Sequence, residues 1–385
     1  MSAGPAFASA LSRHADAAEA TAEVVGEMLE TVGAAPDAAV LFVSGAHAAS
    51  ASDIVGAVGK LLRPGCLVGS TAPSVLAGRL EIEHQAAVAL WAGRIDGVRT
   101  VRFDASRTVS PIDSGDVGPE ELAEAHSLVL IADPVTFDVA MFLDDMATRH
   151  AGITVLGGLA AGAGGQTRAP AELVVDDAVV AGGAVGLLLS GATTMTSAVS
   201  QGCRPIGQPW VVTGSDGHLI HELAGRPATE RLQQVLAGLD DTDQDRARGG
   251  LHMGRVVDEH REVFGPGDFL IRAVLGIDRD TGGLVVGDTV PVGSTVQLQV
   301  RDASSAHHEL VNLLDGHGGT DAALLFTCTG RGTHLFDRPH HDADTIGDAL
   351  GDVPLAGMFC AGEIGPVGDR SFLHGFTASV ALFGH

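Results

Sequence analysis

Short unbroken apolar runs alternate along this chain with amphipathic stretches, and the alternation recurs. The runs at residues 40–43, 128–131 and 324–327 are too short for helices and lack a period of two, so they read as strands buried on both faces. Each is followed by a helix-like segment, at residues 48–62, 137–150 and 343–350, and then by a second apolar strand ending near Gly69, Gly157 or Gly357. The separations from Val43 to Gly69, Ile131 to Gly157 and Thr327 to Gly357 are 26, 26 and 30 residues. Beyond each glycine lie a loop of small residues and a further apolar run, at residues 87–90, 184–187 and 379–382. Strand, helix, strand, loop and hairpin thus come three times, the mark of a repeated supersecondary element. A strand–helix–strand connection of this length predicts a right-handed parallel pair.

The intervening chain fills in the picture. Residues 6–32 have helical composition with Gly33 at a C-cap position, so residues 1–36 are expected to form a covering helix. Strands at 82–91 and 98–103 make the sheet mixed, and the Ser, Asp, Pro and Gly of residues 104–120 read as a linker. After residue 191 the pattern changes. Two strands are expected within 203–220 around Gly214, Ser215, Asp216 and Gly217, then a helix at 228–239 opened by Pro227. An acidic loop at 240–245, strands at 269–277, 283–286 and 295–300, and a helix at 306–314 follow. The expected architecture is α/β, with mixed sheets flanked by helices and repeated units in two halves, residues 37–200 and 201–385.

Composition narrows the function classes. A chain of 385 residues with 45% hydrophobic content buries its own core, and a formal charge of −25 excludes non-specific nucleic-acid binding. No uncharged apolar run approaches the roughly 18 residues of a membrane span, and the first residues lack a signal-peptide pattern. A cytoplasmic protein without membrane insertion is expected. Its four cysteines have no CxxC spacing and read as free thiols. The glycine-rich loop at 157–165 precedes a hairpin where a dinucleotide fingerprint needs a helix, so no cofactor is expected.

Several segments carry a family resemblance. GCRPIGQPWVVTGSDGHLIHELAGRPATERL, CTGRGTHLF and PLAGMFCAGEIGPVGDRSFLHGFTASVAL resemble the FIST sensory proteins, as do AAVLFVSGAHA, CLVGSTA and ITVLGGLAAGAG nearer the start. The likeness spans residues 37–382. It implies a FIST N-terminal domain at 37–200 and a FIST C-terminal domain at 201–385. It also implies an intracellular small-ligand sensor, with amino acids or related metabolites as ligands and a separate signalling output protein as partner.

Chemistry gathers in the third repeat. Parallel strands bring the loops after them to one sheet edge, where ligands favour binding, so residues 328–331 are expected beside residues 359–363. Arg331 offers a planar fork for a carboxylate and Glu363 an acceptor for an ammonium group. Cys328, Thr329, Gly330, Cys360, Gly362 and His374 are the expected lining. Three other readings stay open: Arg331 and Glu363 pairing with each other, Cys328 or Cys360 as a nucleophile with His374 or His334 as base, and a scaffold whose edge strands dock a partner or a second copy. His340, His341, Asp342 and Asp344 lack metal-ligand spacing, and the two aspartates read as caps of the helix that follows.

Overall fold

A computed structural model of the chain describes residues 6–105, 110–162, 170–261, 263–265 and 267–384. The expected linker residues 106–109 and loop residues 163–165 lie outside them. Two compact units are present, one of Met1–Val199, Leu310–Leu373 and Thr377–His385, the other of Ser200–Glu309 and His374–Phe376.

The first unit opens with β1 (Phe7–Ser12) and α1 (Ala17–Thr31). The covering helix is therefore shorter than expected: residues 7–12 pair with a later strand as β-structure, and Asp16 caps α1 by accepting from the N–H groups of Ala18 and Glu19. Next come β2 (Ala38–Ser44), α2 (Ala51–Leu61), β3 (Cys66–Ala72), the hairpin β4 (Ser74–Ala77) and β5 (Leu80–Glu83), β6 (Val88–Gly93) and β7 (Val98–Phe103). The expected single strand at 82–91 is thus two. A second crossover comprises α3 (Pro119–Glu124), β8 (Ser127–Ala132), α4 (Val139–Arg149), β9 (Thr154–Ala160), the hairpin β10 (Glu172–Val175) and β11 (Ala178–Ala181), and β12 (Ala184–Leu189). β13 (Thr194–Gln201) leads out of the unit.

The second unit holds β14 (Cys203–Pro205), β15 (Trp210–Asp216), β16 (Leu219–Leu223), β17 (Arg226–Pro227), α5 (Ala228–Ala237), α6 (Asp241–Gly249), β18 (Leu251–Val256), β19 (Phe269–Ile277), β20 (Leu284–Val286) and β21 (Thr295–Arg301). Its antiparallel sheet runs β14-β21-β15-β16-β20-β19-β18 over a core that includes Trp210, Leu232 and Leu298. The acidic stretch expected as a loop is the start of α6, because Asp240 caps the helix through the N–H of Asp243 and the acids sit at its positive end. α7 (Ala303–Leu314) returns the chain to the first unit, which closes with β22 (Ala322–Cys328), α8 (His341–Leu350), β23 (Leu355–Val367), β24 (Arg370–His374) and β25 (Thr377–Gly384).

Two sheets pack face to face in the first unit, ordered β1-β6-β2-β3-β10-β11 and β13-β25-β22-β23-β9-β8-β12-β7. Alternation in β2 shows why its apolar run is unbroken. Val40 and Phe42 enter the core between the sheets with Trp91, Phe326 and Phe383, while Leu41 and Val43 pack under α1 and α2. Phe142 and Met146 of α4 cover the outer face of the second sheet at β8 and β12, and Leu310 and Ile346 of α7 and α8 cover it at β22 and β25.

The three crossovers pair their strands in parallel: β2 with β3, β8 with β9, and β22 with β23. In each, the glycine of the second strand faces a backbone carbonyl of the first. A Cβ on Gly69, Gly157 or Gly357 would lie 1.9, 1.8 or 1.9 Å from the carbonyl oxygen of Leu41, Leu130 or Leu325. The strand that follows each crossover is given to the next one in a cycle. β4 pairs with β23, β10 pairs with β3, and the second half of β23 pairs with β9. This exchange interlocks distant parts of the chain, and it sets where the polar side chains meet.

Candidate functional site

The corner where β22 ends and β23 parts from it holds the buried polar side chains Arg331, Asp342 and Glu363 of the third crossover. Cys328 and Cys360 are the last register partners of β22 and β23. The expected loop after residue 357 is instead continuous strand: a bulge between Cys360 and Gly362 turns β23 away from β22 and onto β9, placing Glu363 opposite Gly158. Gly158 has to be small there, since its Cβ would lie 2.4 Å from Cys360 Sγ.

Arg331 is fully buried, and its partner is Asp342. Nε donates to Oδ2 and Nη2 to Oδ1, both at 2.8 Å. Thr327 Oγ1 donates to the same Oδ2 at 2.8 Å, and His341 Nδ1 lies 3.0 Å from Oδ1. The His341 ring stacks on Phe336 with centroids 3.4 Å apart, and the Arg331 guanidinium lies over Phe336 at 5.2 Å. Burial alone would raise the Asp342 pKa, but the charge and hydrogen bonds of Arg331 outweigh it and hold the carboxyl well below the usual range. Asp342 is therefore the counter-ion of Arg331, where the sequence suggested a helix cap.

The cap comes from elsewhere. Glu81, on β5, accepts from the N–H of Ala343 at 2.9 Å, and its own N–H donates to His340 Nδ1 at 3.0 Å. Burial and the nearby Asp342 charge push the Glu81 carboxyl up to about 8. Its neighbour Glu83 accepts from the N–H and hydroxyl of Thr333 at 3.0 and 2.7 Å. Nothing in the sequence marks these contacts, because β5 lies in a different crossover from α8.

Glu363 is also fully buried, and it pairs with Thr377, which donates from its N–H at 3.1 Å and its hydroxyl at 2.8 Å. The Cys328 thiol faces the same carboxyl. Burial pushes Glu363 up to about 8, against the opposing pull of Thr377 and the Arg331 charge. Burial, with Glu363 and Cys328 nearby, also raises the Cys360 thiol well above its ordinary value. A nucleophilic cysteine needs the opposite shift.

The corner thus brings together Arg331, Glu363, Cys328, Cys360 and Gly362, with Thr329 and Gly330 half-buried above them. His374 belongs to the second unit. His334 is exposed, its ring 6.5 Å from that of His84. Missing from the sequence reading are Asp342 as the arginine's partner, and Thr327, Thr377, Phe336 and Glu81. Thr327 and Thr377 show no signal beyond their place in apolar strands.

An α/β protein with a buried ionic corner, and with no helix among the described residues long and apolar enough to cross a membrane, is the class these features define. The chain belongs to the FIST family of sensory domains: residues 37–226 match the FIST N domain and residues 228–366 the FIST C domain. It is 43% identical over 373 residues to the uncharacterized protein Rv0628c of Mycobacterium tuberculosis, covering 95% of each chain. It is 42% identical over 375 residues to the uncharacterized protein Mb0898c of Mycobacterium bovis, covering 96% of each.

Proposed function

We propose that this protein is an intracellular sensor that binds an amino acid or related carboxylate at the Arg331–Glu363 corner and signals through a separate output protein. One observation carries the reading: among the described residues, an arginine is buried with its counter-ion at one of three equivalent corners. After β2, Ser44 Oγ only accepts from the N–H of Ala87 at 2.8 Å. After β8, Asp133 accepts from the N–H groups of Ala171 and Thr136 and from the Thr136 hydroxyl. Those side chains serve the backbone and turn beside them. Among the described residues, the third corner alone buries a guanidinium against a carboxylate, an arrangement that contributes little to stability compared with apolar packing of the same volume.

The chemistry follows from protonation. An incoming carboxylate competes with Asp342 for the Arg331 fork, and the ligand's ammonium group goes to Glu363. That carboxyl is protonated below about 8, so receiving a cation expels its proton. In this reading the ligand enters past Thr329 and Gly330, which are half-buried.

The test is a thermal-shift screen with amino acids and simple carboxylates, followed by calorimetry of any hit in buffers of different ionisation enthalpy. A ligand at a hundredfold excess over its Kd stabilises the fold by about 2.7 kcal/mol. Affinity is expected to rise between pH 6 and 8 with proton release, and both effects to vanish in Glu363→Gln. Binding that is indifferent to Glu363→Gln and to Arg331→Lys sinks this reading.

A further inference from the structure

At the other end of α8 lies a cavity that the corner does not use. It measures about 560 Å³ and opens between β1, α1, the β4–β5 turn and the chain from Gly351 to Leu355. Phe7, Ile346 and Leu355 give it an apolar wall. The wall is anchored, since Trp91 Nε1 donates to the carbonyl of Pro354 at 3.3 Å and the Trp91 ring sits 5.4 Å from Phe7. A volume in the range of roughly 300–1,000 Å³ with mainly apolar walls is that of a small-molecule site.

The rim decides which molecule. Arg79 donates from Nε to Asp352 at 2.8 Å and from Nη1 to Asp348 at 2.6 Å. It lies across Gly347, whose absent Cβ would stand 2.8 Å from the guanidinium carbon. Arg79 is thereby spent on the two aspartates. Glu27 of α1 also lines the cavity and adds a negative charge that no guanidinium there is shown to offset, so the carboxylates outnumber the one arginine. An anion meets repulsion here, and a cation meets attraction.

We propose that this cavity binds a small hydrophobic amine, with its apolar body against Phe7, Ile346 and Leu355 and its ammonium group at Glu27 and Asp352. The site is separate from the Arg331 corner and takes the opposite charge at its polar end.

The experiment uses two probes of similar shape and opposite charge, 2-phenylethylamine and 3-phenylpropanoate, titrated into the full chain by calorimetry and thermal shift. The amine is expected to bind and to weaken with added salt, while the acid does not bind. Ser9→Trp, which fills the cavity from β1, is expected to abolish amine binding. The double change Glu27→Gln and Asp352→Asn, on exposed carboxylates, is expected to weaken it about fivefold and leaves the walls intact. Arg331→Lys is expected to leave it unchanged, which separates this site from the corner. Equal binding of the two probes, no binding of the amine, or unchanged affinity in the double variant overturns the proposal.

Discussion

The carboxyl of Glu81 accepts a hydrogen bond from the N–H of Ala343, 262 residues later in the chain, at 2.9 Å. α8 has no side-chain cap of its own at His340, so a first-turn donor of that helix is satisfied from the β4–β5 hairpin of another crossover. The same hairpin pairs with β23. Glu81 therefore stands where strand exchange, helix capping and the buried ion pair of Arg331 and Asp342 come together, and four consequences can be measured.

Stability should fall as pH rises through the neutral range. Glu81 and Glu363 both move from an ordinary 4.5 to about 8 on folding. Between those values the folded chain holds protons that the unfolded chain has released, so this contribution is complete below about 4.5 and lost by about 8. Melting temperature followed from pH 5 to 9 should decline, with a flatter slope in Glu81→Gln and in Glu363→Gln. Identical slopes in both variants and the parent would refute the assignment.

Breaking the buried ion pair on one side should cost more than removing both partners. Arg331→Met or Asp342→Leu alone leaves an uncompensated buried charge, worth about 3–5 kcal/mol of lost stability. The double variant should recover much of that loss. Urea denaturation of the three variants measures the coupling, and purely additive losses would argue against it.

The three crossover glycines should tolerate nothing larger. Alanine at Gly69, Gly157 or Gly357 sets a methyl group into a carbonyl oxygen of the neighbouring parallel strand, with no side chain that can swing aside. A loss of about 4 kcal/mol or more is expected at each. Gly217 is a useful contrast: its φ is positive, +56°, but nothing lies within 4 Å of its Cβ position, so alanine there meets only backbone strain.

Thiol labelling should be ordered by burial. Cys203 is half-buried, whereas Cys66, Cys328 and Cys360 are buried, and burial raises the Cys66 and Cys360 thiols. Iodoacetamide on the native protein, read by mass spectrometry, should modify Cys203 first and Cys360 last. Fast alkylation of Cys360 would contradict the buried, protonated thiol and reopen a nucleophilic role.

Much of the fold was legible in the chain. Runs such as residues 40–43 and 324–327 have to be buried on both faces, and strand order within each crossover follows from connection length and handedness. Errors came where a partner lay far away. Residues 7–12 look helical by composition but pair with Val88–Gly93, and residues 361–367 look like a loop but extend β23 along β9. The acidic run at 241–245 is helical because a cap and a dipole outweigh its polarity.

The site divides in the same way. Sequence alone determined that residues 328–331 come beside residues 359–363, because a short crossover between parallel strands leaves those segments few places to go. Tertiary structure alone decided that Arg331 binds Asp342, that Glu363 binds Thr377, and that Glu81 joins from the first crossover. A buried charge takes whichever partner the packing of distant strands brings within about 3 Å, and one-dimensional spacing does not encode that choice.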